Sequence, residues 1–151
     1  MPHPPAVVFF DTNVYVIGAA DVDSPEARIL RWAGFGQHKS TLPEIVVSGD
    51  LFEQISRVAK RLHHKDWGSE ILGHIWRDLR LRYVLLDEDE ISGTESSGLV
   101  PREDVSAYLT ARTGQAECFV SSNNELIRSL TQITKEFECL TPEEFMEQYL
   151  T

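Results

Sequence analysis

The sequence predicts an α/β domain: a three-layer α/β/α arrangement with a central parallel sheet of about five strands. Three observations carry that expectation. Strand-like and helix-like segments alternate along the chain. The first strand candidate, Val7–Phe10 (VVFF), is apolar at every position, as suits a strand buried on both faces. Asp11 follows it directly, and parallel sheets of this kind gather their ligands beyond the carboxyl ends of the strands. From position alone, Asp11 reads equally as a functional carboxylate or as a cap for the next segment.

The elements follow in order. Ser24-Pro25-Glu26 opens a helix, with Ser24 as N-cap and Pro25 first, running to about Ala33 before Gly34 and Gly36. Glu44–Val47 is a second strand. Ser48 caps a helix over GDLFEQISRVAKRL, where Leu51, Ile55, Val58 and Leu62 recur at helical spacing. Residues 66–81 carry another helical pattern through Trp67, Ile71, Ile75 and Leu79. Tyr83–Leu86 is a third strand, Asp104–Arg112 a helix ending at Gly114, and Glu117–Val120 a fourth strand. A short helix over Glu125–Leu130 and a fifth strand over Glu138–Leu140 precede the closing TPEEFMEQYL, with Thr141 as N-cap and Pro142 first in the helix.

The chain has 151 residues, enough for one domain with a substantial core and too few for two comfortable ones. No apolar run approaches the roughly 20 residues of a membrane helix, and the N-terminus lacks the basic region of a signal peptide. Cys118 and Cys139 sit inside apolar runs and read as buried free thiols, so a reducing, cytoplasmic setting is expected. The net charge of −10 argues against a broad basic surface for nucleic acid. It leaves open an enzyme that gathers carboxylates around Mg²⁺ or Mn²⁺, because the metal reverses the local sign.

Residues 87–103 are poorest in structure signals and are expected to form an exposed loop. Within them, residues 96–102 (SSGLVPR) match the thrombin-cleavable spacer of common expression tags. Either the segment is engineered, as the seven-residue match favours, or the match is coincidental; these residues enter no functional argument.

Four stretches now line up: DTN at Asp11–Asn13, VSGDLFEQISRVAKRL after the second strand, EDVSAYLTARTGQAECFVSSNNELI from Glu103 to Ile127, and the terminal CLTPEEF. Together they resemble a PIN domain, the nuclease fold of many toxin ribonucleases and RNA-processing enzymes, over nearly the whole chain. The branch resembled ends in a threonine-proline-x-x-phenylalanine helix. The resemblance implies about four acids around one or two divalent metals, Mg²⁺ or Mn²⁺, and hard oxygen ligands suit those ions. Carried over by position, Asp11 is the first acid and Asp104 the third, and both are intact as metal ligands. Asn13 and Ser121 would orient ligands or water. The second acid position holds Gln54, and the fourth holds Asn123, at the end of a Ser121-Ser122-Asn123 turn. Two of four acids are therefore amides, and metal binding should be weak.

Neighbouring carboxylates compensate poorly. At about 100° per residue, Gln54 falls on the rim of the core face and Glu53 points to solvent. Asp50, one turn earlier on the side of Gln54, and Glu125, near the Asn123 turn, are the weaker candidates for metal ligation; Glu117 lies far along its strand. The amides are consistent with deliberate silencing or natural degeneration.

The resemblance thus implies a metal-dependent endoribonuclease acting on RNA, toxin-like or RNA-processing, impaired in this chain. The alternative is a catalytically inactive module that binds RNA or a protein partner. An antitoxin and a homodimer are implied by the family only. Elsewhere, His63 and His64 point too far apart to share an ion and read as helix-dipole partners. Arg57, Lys60, Arg61 and Lys65 form a basic stripe, open to reading as a phosphate contact or a solvated face. Trp32, Trp67 and Trp76 read as core or a dimer surface. No Gly-rich phosphate loop is present.

Overall fold

The computed structural model describes residues 3–36 and 42–150. Its elements in chain order are β1 (Val7–Phe10), α1 (Thr12–Ala20), α2 (Pro25–Ala33), β2 (Glu44–Ser48), α3 (Gly49–Leu62), α4 (Lys65–Asp78), β3 (Arg80–Val84) and α5 (Glu88–Ser97). A 3-10 turn (Arg102–Asp104) leads into α6 (Val105–Thr113), β4 (Cys118–Val120), α7 (Asn124–Ile133), β5 (Glu138–Leu140) and α8 (Pro142–Tyr149). Among the described residues the five strands form one sheet in the order β3-β2-β1-β4-β5, parallel at every pairing. The expected α/β class and five-stranded parallel sheet are met.

The central strand β1 and its neighbour β4 are deeply buried: Val8, Phe9 and Phe10 of β1 and Cys118, Phe119 and Val120 of β4 are all fully enclosed. Phe9 and Phe119, register partners across the two strands, tilt against each other with ring centres 4.9 Å apart, and Phe119 stacks on Phe137 at 5.6 Å. Helix α6 lies over β1 and β2. It ends at Gly114, where a Cβ would come within 2.3 Å of a Val46 methyl carbon, so only glycine lets the chain pass this close to β2.

Several expectations need correction. Helix α1 is absent from the sequence reading. TNVYVIGAA buries Thr12, Val14, Tyr15, Val16 and Gly18 and shows little one-sidedness, so neither a helical stripe nor a strand alternation is legible. The helix expected over residues 66–81 stops at Asp78, and β3 begins at Arg80 rather than Tyr83. Its charged residues disguise an edge strand: the Arg82 guanidinium donates to both carboxylate oxygens of Glu44 on β2, at 3.0 and 3.1 Å. The stretch 87–103 is not a continuous loop. Asp87 caps α5 by accepting from the Asp89 N–H, and Gly98 closes it in the left-handed region at φ 69°. No residue of α5 is buried, but Val100, just beyond it, is a core residue.

On α3 the buried residues are Leu51, Ile55 and Ala59; Val58 is only half-buried and Leu62 is exposed. Trp76 is exposed too, beside Phe52 and Tyr83, whereas Trp32 and Trp67 pack against the core. His64 is not a dipole partner: its Nδ1 accepts from the Trp67 N–H and caps α4. Cys118 and Cys139 are both free, the first buried and the second half-buried. No helix among the described residues is long and apolar enough to cross a membrane.

Candidate functional site

The carboxyl ends of β1 and β4 lie side by side, so the residues that follow them meet. Asp11 leaves β1 with its N–H still donating to the Val120 carbonyl (2.9 Å), and it caps α1, Oδ1 accepting from the Thr12 N–H at 2.9 Å. The capping reading of Asp11 is met in the structure. Its Oδ2 accepts from the Ser121 hydroxyl at 2.8 Å. Asp11 is 7% exposed. Burial pushes its carboxyl above the ordinary range, and the bonds from Ser121 and Thr12 oppose that shift.

Asn13 and Ser121 meet around this carboxylate. The Asn13 Nδ2 donates to Ser121 Oγ at 3.3 Å, and its Oδ1 accepts from the Ser122 N–H at 3.0 Å. The Asn123 N–H also donates to Ser121 Oγ (3.1 Å). The Asn123 side chain itself is turned away to cap α7, Oδ1 accepting from the Leu126 N–H. Gln54 reaches the rim of the site, where Oε1 accepts from the Thr12 hydroxyl at 2.7 Å. The Gln54 and Asn123 amides are thus both engaged in local hydrogen bonds.

Asp104 closes the 3-10 turn ahead of α6 and is half-buried. Its carboxyl is pushed up to about 6, first by burial, then by the negative charges of Asp11 and Glu103. Helix α6, which follows Asp104, is tied by hydroxyls to the N-terminus of α3, the helix that carries Gln54. Thr110 Oγ1 donates to the Ser106 carbonyl, which leaves Ser48 Oγ as the donor to Thr110 Oγ1 across 2.8 Å. Ser48 is also the N-cap of α3.

The weaker candidates do not join this group. Asp50 and Glu125 are exposed in the first turns of α3 and α7. Glu117 lies just before β4, at the end away from Ser121, and accepts from the Ala6 N–H. Among the described residues no group of three or more His, Cys, Asp and Glu is arranged to hold a metal ion. The basic residues Arg57, Lys60 and Arg61 are exposed on α3, and Lys65 begins α4 rather than extending their helix.

One functional candidate escapes the sequence reading. Glu26 looks like an ordinary first-turn acid behind Ser24-Pro25. In the fold it is 6% exposed, and its Oε2 accepts from the Ser122 hydroxyl at 2.7 Å. The only hint in the sequence is an acid on the helix that follows the Asp11 segment.

A hard cation fits the Asp11–Asp104 pair in kind. Each Asp11 oxygen accepts one hydrogen bond among those given above and keeps a further lone pair. The Asp104 carboxyl is raised first by burial and then by the Asp11 and Glu103 charges, and a cation between the carboxylates would relieve the charge repulsion. The fit is weak in charge, with two carboxylates and no third in the group.

The raised carboxyl sets a pH dependence. The ordinary Asp value is 3.8 and the folded value about 6, so between these the folded state holds more protons than the unfolded one. Stability therefore falls as pH rises through that window and is flat above it. Asp104→Asn is expected to raise Tm at about pH 7 and to change it much less at about pH 4. Calorimetric scans at the two pH values check this; an equal shift at both contradicts it.

No protein-family model matches the sequence, and no curated protein matches it. Among solved structures, a chain from the crystal structure of VapBC2 from Rickettsia felis, bound to a DNA fragment from their promoter, superposes with a TM-score of 0.59. The match covers 89% of this chain and 98% of that one, at 13% identity. The fold is PIN-like. At this identity the likeness shows the fold alone, and the chemistry of the site rests on its own residues.

Proposed function

We propose that this chain is a PIN-type, divalent-metal-dependent endoribonuclease domain, toxin-like or RNA-processing, with a weakened metal site. The observation that carries the reading is the buried Asp11 carboxylate at the carboxyl end of β1, held on both oxygens by Ser121 and Thr12, with Asp104 near enough for the Asp11 charge to add to the rise of its carboxyl. Asp11 and Asp104 would hold Mg²⁺ or Mn²⁺. When bound, such a cation offsets charge on the attacked phosphate and acidifies water. Ser121 and Thr12 hold the Asp11 carboxylate in place by donating to its two oxygens. Asn13 fixes the Ser121-Ser122 turn through both ends of its amide. Gln54 and Asn123, whose side-chain oxygens already accept from the Thr12 hydroxyl and the Leu126 N–H, would add no charge to the site.

By analogy with the VapBC2 complex, an antitoxin-like protein partner belongs to this reading; the PIN resemblance adds a homodimer, and the two free cysteines suit a cytoplasmic setting. The second reading is a catalytically silent PIN-like module that binds RNA or a protein partner. It is favoured by the engagement of Gln54 with Thr12 and of Asn123 with the α7 N-terminus.

The test is incubation of end-labelled single-stranded and hairpin RNA with the protein and Mn²⁺. The first reading predicts slow cleavage, stopped by a chelator and by Asp104→Asn. RNA binding without cleavage at any Mn²⁺ concentration leaves the second reading.

A further inference from the structure

We propose that Glu26 is a positioning residue that sets the geometry of the Asp11 carboxylate through Ser122 and Asn13. Its consequence for metal binding rests on the functional reading above, but the hydrogen-bond chain does not.

The proton count fixes the direction of that chain. Ser121 Oγ receives two hydrogen bonds, from the Asn123 N–H and from Asn13 Nδ2, so both its lone pairs are used. Its single proton goes to Asp11 Oδ2. Asn13 can donate to Ser121 only with its amide turned one way round. That orientation is selected because Oδ1 accepts from the backbone N–H of Ser122. Ser122 is anchored in turn by its hydroxyl, which donates to Glu26 Oε2 at 2.7 Å. Glu26, Ser122, Asn13, Ser121 and Asp11 thus form one directed sequence of contacts, joining α2 to the ends of β4 and β1, with a carboxylate at each end.

Neither helix capping nor the helix dipole accounts for Glu26. The α2 N-terminus is already capped: Ser24 Oγ accepts from the Ala27 N–H at 3.0 Å, and Pro25 occupies the first position. A glutamate recruited only for the helix dipole sits at the surface, where it keeps its hydration. Glu26 is buried, and no ion-pair partner for it occurs among the described residues. Among the described residues its one side-chain hydrogen bond is to the turn that follows β4. A buried carboxylate with a single hydroxyl partner makes that partner's position costly to change.

The experiment uses the whole chain without metal. Nuclear magnetic resonance reads the side-chain amide of Asn13 and the exchange protection of the Ser122 N–H in wild type, Glu26→Ala, Glu26→Gln and Ser122→Ala. Glu26→Ala is expected to move the Asn13 side-chain signals and to speed Ser122 exchange about tenfold. Glu26→Gln keeps an acceptor oxygen and is expected to stay within about twofold of wild type. Ser122→Ala leaves Glu26 and its helix end intact and is expected to reproduce the Asn13 change, with no further change in the double variant. Should Glu26→Ala not fold, Ser122→Ala carries the test.

Asn13 signals unmoved in Ser122→Ala, or Glu26→Ala losing stability with both signals at their wild-type values, would overturn the proposal. Titration of Mn²⁺ into the same proteins adds the site's readout, with affinity expected to fall about tenfold or more in Glu26→Ala and Ser122→Ala. Wild-type protein that binds no Mn²⁺ defeats the metal reading alone and leaves the amide signals to decide the role of Glu26.

Discussion

Phe119→Ala is expected to remove about 3–5 kcal/mol of stability, the typical cost of emptying an aromatic site in a closed core. Phe119 is fully buried in the middle of β4, between Phe9 on β1 and Phe137 ahead of β5. The surrounding strands are hydrogen-bonded on both sides of β4 and have little freedom to collapse into the vacated space. A domain of this kind holds about 5–15 kcal/mol in total, so the variant would be near the edge of folding. The same strand carries Ser121 to Asp11, so loosening it should reach the site. Urea unfolding of the two proteins measures the difference. A loss below about 1 kcal/mol would mean that the core repacks around the gap.

Restoring charge should act as strongly in the opposite sense on metal binding. The double variant Gln54→Glu with Asn123→Asp is expected to bind Mn²⁺ more tightly, by roughly tenfold or more for each carboxylate added. Both changes respect the local structure. A glutamate oxygen still accepts from the Thr12 hydroxyl, and aspartate is as good an N-cap for α7 as asparagine. The metal-free protein should be less stable at about pH 7, because the added charges crowd an Asp104 carboxyl already pushed up to about 6. Mn²⁺ should then raise the Tm of the double variant far more than that of the wild type, by mass action. Equal Tm gains in both proteins would show that positions 54 and 123 do not face the cation.

The sheet was the most legible part of the molecule. VVFF, EIVV, ECFV and the short ECL run are apolar stretches bounded by turn or cap residues, and each became a strand. The strand RLRYV was displaced in the sequence reading because an edge strand alternates charge with apolar residues, and its first residues continue the helical pattern of α4. Helix α1 was hidden for the opposite reason, since it is apolar around much of its circumference. Helix α5 offers almost no apolar residue beyond Ile91, and its signals lie outside it, in the Asp87 cap and the left-handed Gly98.

Around the site, the placement of Asp11 was legible because a charge at the end of a buried strand has few other places to go. The closeness of Asp104 to that charge came through the family resemblance, since no spacing rule relates residues 93 positions apart by number (104 less 11). Glu26 was not legible. Its identity suits any helix start, and only the packing of α2 beside the turn after β4 makes it a buried partner of Ser122.

The central claim is that Asp11 and Asp104 together form a divalent-cation site. It is tested most directly by calorimetric titration of Mn²⁺ into the wild-type protein beside Asp11→Asn, at about pH 7, where Asp104 is largely ionised. Saturable sub-millimolar binding in the wild type, lost in Asp11→Asn, is the predicted result. Absence of binding up to several millimolar, or binding untouched by the substitution, would contradict it.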